Sequence, residues 1–390
     1  MPHQHEAMEL TNEQIERYSR HLLLPEIGVE GQKKLKAARI LIVGAGGLGS
    51  PAALYLAGAG VGHLGLVDAD VVRLSNLQRQ ILHGTATLGH AKVESAKSRL
   101  LDFNPDIRVE VYNEAFTSES AERIAGGYDL ILDGTDNFPT RYLINDVALR
   151  LSIPFVYGAI FRMEGQASVF GDSKGPCYRC IFPIPPAPES VMTCSEAGVL
   201  GVVPGLIGTI QATEAIKWIL GLGTSLAGRL LIYDAGEMQF DAISIEKNLD
   251  CPACGRHDPA TIPLIDYDGF CGVPGTNQDN IALPDDGGLS ATELKAKLDS
   301  HDPIILIDVR RQPEWGIVHL DGSVLIPLDE LEDRLDEFSP LDEVVVVCRS
   351  GRRSARAVVR LRERGFKRAR SLIGGLLAWA QEVDPSLPQY

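Results

Sequence analysis

One stretch, RILIVGAGGLGSPAALYLAGAG at positions 39–60, constrains this chain more than any other. An apolar run fit for a buried strand gives way to a glycine-rich turn and then to a helical pattern. Gly44, Gly46 and Gly49 satisfy G-x-G-x-x-G across the junction. HLGLVDAD, VEVYNEAF and DLILDGTDN follow as further strands separated by helical sequence. Apolar runs alternating with helices predict an α/β fold built on a doubly wound parallel sheet. The glycines let backbone approach a phosphate, the helix N-terminus supplies N–H donors, and Asp68, about 20 residues on, can accept from ribose hydroxyls. These features specify a nucleotide without saying which. Alone, they also fit a dinucleotide dehydrogenase.

Ser75, Asn76, Leu77, Gln78, Arg79 and Gln80 spell SNLQRQ, and Lys92 follows in GHAKVESAK. Hydride transfer has no need of two cations near the phosphates. Attack on an α-phosphate does, because charge develops on pyrophosphate.

Composition shifts at 263–288, which is rich in Pro, Gly, Asp and Asn and lacks a sustained period, so it reads as a linker between domains at 1–262 and 289–390. The second domain alternates helix and strand over about 100 residues, a smaller α/β unit. A net charge of -15 argues against nucleic-acid partners. The first thirty residues lack a secretory signal, and the longest apolar stretch, from Val199 to Ile210, is too short to span a bilayer; a cytoplasmic location is expected.

Seven cysteines is an odd number, and four of them form two C-x-x-C pairs, Cys177 and Cys180 in CYRC and Cys251 and Cys254 in CPAC. Each pair can present two thiolates to one edge of a tetrahedral Zn²⁺, and four sulfurs would leave no open position. The rival is a redox pair, which needs an exposed thiol of low pKa. Cys194, beyond the proline-rich FPIPPAPE, reads either as a small buried hydrophobe or as a loop thiol. Cys271 reads as linker or packing. Cys348 ends EVVVVC and opens CRSGRRS, where a short loop and a following helix would aim N–H groups at sulfur, with Arg349, Arg352 and Arg353 around it. Such a cradle stabilises an anion on sulfur, as in a phosphatase thiolate or a thiolate carrying a persulfide. Phosphatase loops read C-x-x-x-x-x-R, but here Ser354 holds the sixth position and Arg353 falls one residue early.

RYSRHLLLPEIG, GAGGLG, VDAD, SNLQRQ, GHAKVESA, DGTDN, RMEGQASVF and CYRC, in this order, resemble the E1-like adenylyltransferases that activate sulfur-carrier proteins in molybdopterin and thiamine biosynthesis, with their Rossmann-like sheet. LIDVR, PEW, HLDGS, CRSGRRS and GGLLAW resemble a rhodanese, although GIVHLDG spaces glycine from histidine where many rhodaneses place them together. Joined, they resemble fused adenylyltransferase–sulfurtransferase proteins. The resemblance implies ATP held by Gly44, Gly46, Gly47, Gly49 and Asp68, with Ser75 to Arg79 and Lys92 toward the triphosphate. It further implies Mg²⁺ at Asp136 beside Asn137, a structural Zn²⁺, and Arg20 reaching the site of a homodimer partner. Cys194 matches a cysteine near the activated carboxylate, and Cys348 would carry sulfur. The implied partners are a ubiquitin-like carrier ending in Gly-Gly and a sulfur donor such as a cysteine desulfurase or thiosulfate. An NAD-dependent oxidoreductase with a fused sulfur domain, or a non-catalytic zinc-stabilised scaffold that docks a carrier, are the alternatives.

Overall fold

The structure is a computed structural model that describes residues 9–171, 175–186, 197–255, 258–272, 283–284 and 286–390. The chain divides into two compact units, Met1–Val273 and Pro274–Tyr390.

In the first unit, β1 (Arg39–Val43), β2 (His63–Val67), β3 (Arg108–Tyr112), β4 (Leu130–Asp133) and β5 (Phe155–Phe161) run parallel in the spatial order β3-β2-β1-β4-β5. Successive residues of β1 face opposite sides of the sheet. Ile40 and Ile42 enter one core with the helices Gly49–Gly58, Lys92–Phe103 and Val202–Leu220, while Leu41 and Val43 enter another with Ala121–Ala125 and Phe138–Leu151. A strand covered on both faces must be apolar throughout, which is why RILIV does not alternate.

The sheet departs from the expected parallel pattern on one side. β6 (Glu164–Phe170), β7 (Arg229–Asp234) and β8 (Gln239–Ser244) continue it antiparallel to an eight-stranded whole. Only Arg162 and Met163 separate β5 from β6, a connection that permits a hairpin and no crossover, and Arg162 takes a left-handed φ of 55° in the turn. The linker stretch also begins with structure, because a helix at Tyr267–Phe270 packs on Phe138–Leu151 and Cys271 is buried in the same core.

In the second unit, β9 (Gly288–Leu289), β10 (Ile304–Asp308), β11 (Val324–Leu325), β12 (Glu343–Val347) and β13 (Arg370–Leu372) form a parallel sheet ordered β11-β10-β12-β13-β9. β12, central and buried along its whole length, delivers Cys348 at its carboxyl end. Among the described residues no helix is long and apolar enough to cross a membrane.

Candidate functional site

A cleft of about 290 Å³ opens at the carboxyl ends of β1, β2 and β4 in the first unit, the crevice where open α/β sheets bind ligands. The turn at its floor is tightly specified. Gly44 has φ +97°, and a Cβ on Gly49 would lie 1.9 Å from the Gly44 carbonyl oxygen, so no larger residue fits there. Asp68 fixes the turn through one carboxylate oxygen, which accepts from Ala45 N at 2.9 Å; the other accepts from Asp70 N. Buried His83 braces it from below, with Nε2 2.9 Å from the Ala45 carbonyl and Nδ1 3.0 Å from Ser95 Oγ. A carbonyl only accepts, so Nε2 carries the proton. Burial lowers the His83 pKa and keeps the ring neutral.

The cleft gathers Gly44, Gly46, Gly47, Asp68, Arg79, Lys92, Asp136 and Asn137. Lys92 opens its helix almost completely buried, with Nζ 2.8 Å from Asp70 and 3.9 Å from Asp68. Arg79 donates to the Ser75 carbonyl at 3.1 Å. Ser75, Asn76, Leu77 and Gln78 build the turn that carries Arg79 without lining the cleft themselves, and Gly49 likewise stands behind it. Asp136 is exposed at the rim, and Asn137 caps the helix Phe138–Leu151 by accepting from Thr140 N at 2.9 Å. Arg20 is exposed on the short helix Ser19–Leu22 and does not line this cleft.

Asp70, Gln80, Glu114, Phe116 and Thr140 also line the cleft and were not singled out from the sequence. Asp70 and Gln80 sit inside the quoted motifs VDAD and SNLQRQ, which was the available signal. Beneath the loop at residues 134–137, fully buried Asp133 accepts from Thr135 N and Oγ1 and pairs with Arg141 at 3.1 Å. That bridge sets the height at which Asp136 stands.

Cys177, Cys180, Cys251 and Cys254 converge with all four sulfurs within 4.8 Å of one another. Neighbouring sulfurs lie 3.6, 3.9 and 3.3 Å apart. A tetrahedron with Zn–S bonds of about 2.3 Å has edges of about 3.8 Å, so the donor set and its size fit Zn²⁺ with no position left for substrate. Next to the knuckle, Tyr178 N donates to Asn145 Oδ1 at 2.8 Å, and Arg179 grips Asp146 at 2.9 and 2.7 Å. Tyr267 donates its hydroxyl to the same carboxylate at 2.7 Å. The cysteine cluster is thereby clamped to the helix whose N-terminus carries Asn137. Cys194 lies outside the described residues.

In the second unit, Cys348 is 1% exposed, and its sulfur accepts from Gly351 N at 3.2 Å and Ser354 N at 3.3 Å, with Ser354 Oγ at 3.4 Å. Gly351, at φ +89°, turns the loop into the helix Arg352–Glu363. The sequence points to backbone N–H groups aimed at the sulfur with arginines around it, and the contacts on sulfur come from the Gly351 and Ser354 amides together with the Ser354 hydroxyl. Arg353 is tied to both oxygens of Glu314 at 2.7 and 2.6 Å, and Arg349 lies over the Tyr390 ring.

The glycine turn with its converging cations defines a nucleotide-handling α/β unit, and the amide-lined thiol defines a sulfur-handling one. The ThiF family model matches residues 18–253 and the rhodanese-like domain model residues 290–382; the chain belongs to the ThiF family and carries a rhodanese-like domain. It is 45% identical to the probable adenylyltransferase/sulfurtransferase MoeZ of Mycobacterium tuberculosis, over 98% of this chain and 97% of that protein. It is 47% identical to the adenylyltransferase and sulfurtransferase MOCS3 of Drosophila yakuba, over 98% and 86%. Among solved structures, E. coli MccB with ATP superposes with a TM-score of 0.55 at 22% identity, covering 61% of this chain and 74% of that one, a likeness of fold.

Proposed function

We propose that this enzyme adenylates the C-terminal glycine of a ubiquitin-like sulfur-carrier protein ending in Gly-Gly, then exchanges AMP for sulfur carried on Cys348. The observation that carries the reading is the convergence of Arg79, Lys92 and Asp136 on one cleft with the Gly44 turn and Asp68. ATP lies with its ribose toward Asp68 and its phosphates toward the turn, where Lys92 leaves the Asp70 carboxylate for the more highly charged triphosphate. Asp136, exposed at the rim, would hold Mg²⁺, which neutralises phosphate charge when bound. A carrier carboxylate oxygen attacks the α-phosphorus as the bond to pyrophosphate breaks, giving an acyl-adenylate.

The terminal sulfur of a Cys348 persulfide then attacks the acyl carbon, and AMP leaves with the electron pair. A thiol attacking Cys348 Sγ frees the thiocarboxylate and leaves a disulfide there, which a reducing thiol opens. The two backbone donors on Sγ favour the thiolate that leaves and re-forms in these steps. A cysteine desulfurase or thiosulfate supplies the sulfur, and the working form is a cytoplasmic homodimer in which Arg20 serves the partner's cleft. The product suits molybdopterin synthesis or a related thiolation.

Asp136→Ala tests the assignment. ATP–pyrophosphate exchange in the presence of carrier should fall about 100-fold or more, while sulfur transfer from thiosulfate to cyanide stays at the wild-type rate. Full exchange activity in this variant would overturn the role given to Asp136.

A further inference from the structure

Tyr390 meets the Cys348 loop, and nothing in the chemistry above uses it. Its ring lies under the guanidinium groups of Arg349, at 5.2 Å, and Arg310, at 5.8 Å. Its hydroxyl accepts from Arg310 Nη1 and donates to Glu314 Oε1 at 3.3 Å. Arg310 is fully buried and doubly bonded to Asp308, so the anchor under Tyr390 is rigid.

Arg349 and Arg353 flank the thiol loop but are used differently. Arg353 spends both terminal nitrogens on Glu314. Arg349 offers its face to Tyr390, and its Nε is buried with no hydrogen-bond partner among the described residues. Stacking occupies the face of a guanidinium and leaves its N–H edge for an oxyanion, which Arg can grip through two parallel bonds. A buried N–H without a partner is costly, and such a group calls for something to meet it.

We propose that Tyr390 is a positioning residue for sulfur loading: it holds Arg349 next to Cys348 so that the N–H edge receives the oxyanion group of the sulfur donor. With thiosulfate, Cys348 Sγ attacks the sulfane sulfur, a new S–S bond forms, and sulfite leaves with the electrons of the old one. Arg349 would hold the sulfonate oxygens before that step, so its loss should weaken donor binding more than turnover. The inference rests on Cys348 as the sulfur-carrying thiol.

The test is steady-state transfer from thiosulfate to cyanide with the full chain. Tyr390→Leu should raise the thiosulfate KM about tenfold with kcat within about threefold, and Tyr390→Phe, which keeps the ring, should recover most of the loss. Arg349→Gln should raise KM comparably, and adding Tyr390→Leu to it should cost nothing further. A wild-type KM in Tyr390→Leu, an equal loss in Tyr390→Phe, or multiplying losses in the double variant overturns the proposal. Cys348→Ser separates the two layers. If that variant still transfers sulfur, the thiol assignment falls, whereas its inactivity alongside an unchanged KM in Tyr390→Leu removes the Tyr390 role alone.

Discussion

Two buried histidines bear on how the nucleotide unit should respond to acid. His83 is neutral beneath the glycine turn because burial disfavours its charged form, and burial, helped by Arg39 and Arg108, lowers His63 in the same direction. A histidine whose folded pKa is depressed binds more protons unfolded, so its contribution is complete above about pH 6.5 and is lost as pH falls toward the lowered value. The urea midpoint should therefore drop between pH 7.5 and pH 5.5, and His83→Gln should reduce that drop. An identical pH dependence in the variant would assign the effect elsewhere. At this scale the sequence is most readable where partners are neighbours. Gly44, Gly49 and the two C-x-x-C pairs announce themselves by spacing, because a turn or a knuckle is a local object. Asp133 with Arg141, and Tyr390 with Arg349, meet only after folding, so no spacing displays them.

Among the elements, the helix Phe138–Leu151 carries most of the consequence. Its first turn borders the cleft through Asn137 and Thr140, while Asn145 and Asp146 hold the cysteine knuckle and Tyr267. Opening the knuckle strips partners from a buried carboxylate as well as breaking up the four-cysteine cluster, and a buried group left unpaired is expensive. The purified protein should contain about one zinc per chain. Cys251→Ser should lose it and melt several degrees lower by circular dichroism; full metal content with an unshifted melt would contradict the assignment. The parallel core was legible as unbroken apolar runs flanked by helices. The antiparallel strands β6 to β8 were not, since RMEGQASVF does not declare its direction until the two-residue turn at Arg162 forces a hairpin. The helix at Tyr267–Phe270 was hidden by a linker-like composition, and it is short enough that packing decides it more than propensity does.

For the whole molecule, the order of motifs was enough to foresee two α/β bodies with different chemistry, whereas the partners around each reactive group needed coordinates. Each unit has its own buried core, in the first around β1 and in the second around β10 and β12. Calorimetry should resolve two unfolding transitions, with zinc chelation lowering one and leaving the other in place; a single transition that moves as a whole would show that the units unfold together. The Phe138–Leu151 helix, 14 residues and so about 21 Å long, has one end at the proposed site of a rapidly exchanging cation and its other half against a closed set of four thiolates. If both proposed sites are filled, the adenylating half should answer metal depletion on two clocks. One would be fast and reversed as soon as the hard cation returns. The other would be slow, set by local opening of the cysteine knuckle, and would leave a memory in the helix that the hard cation cannot erase.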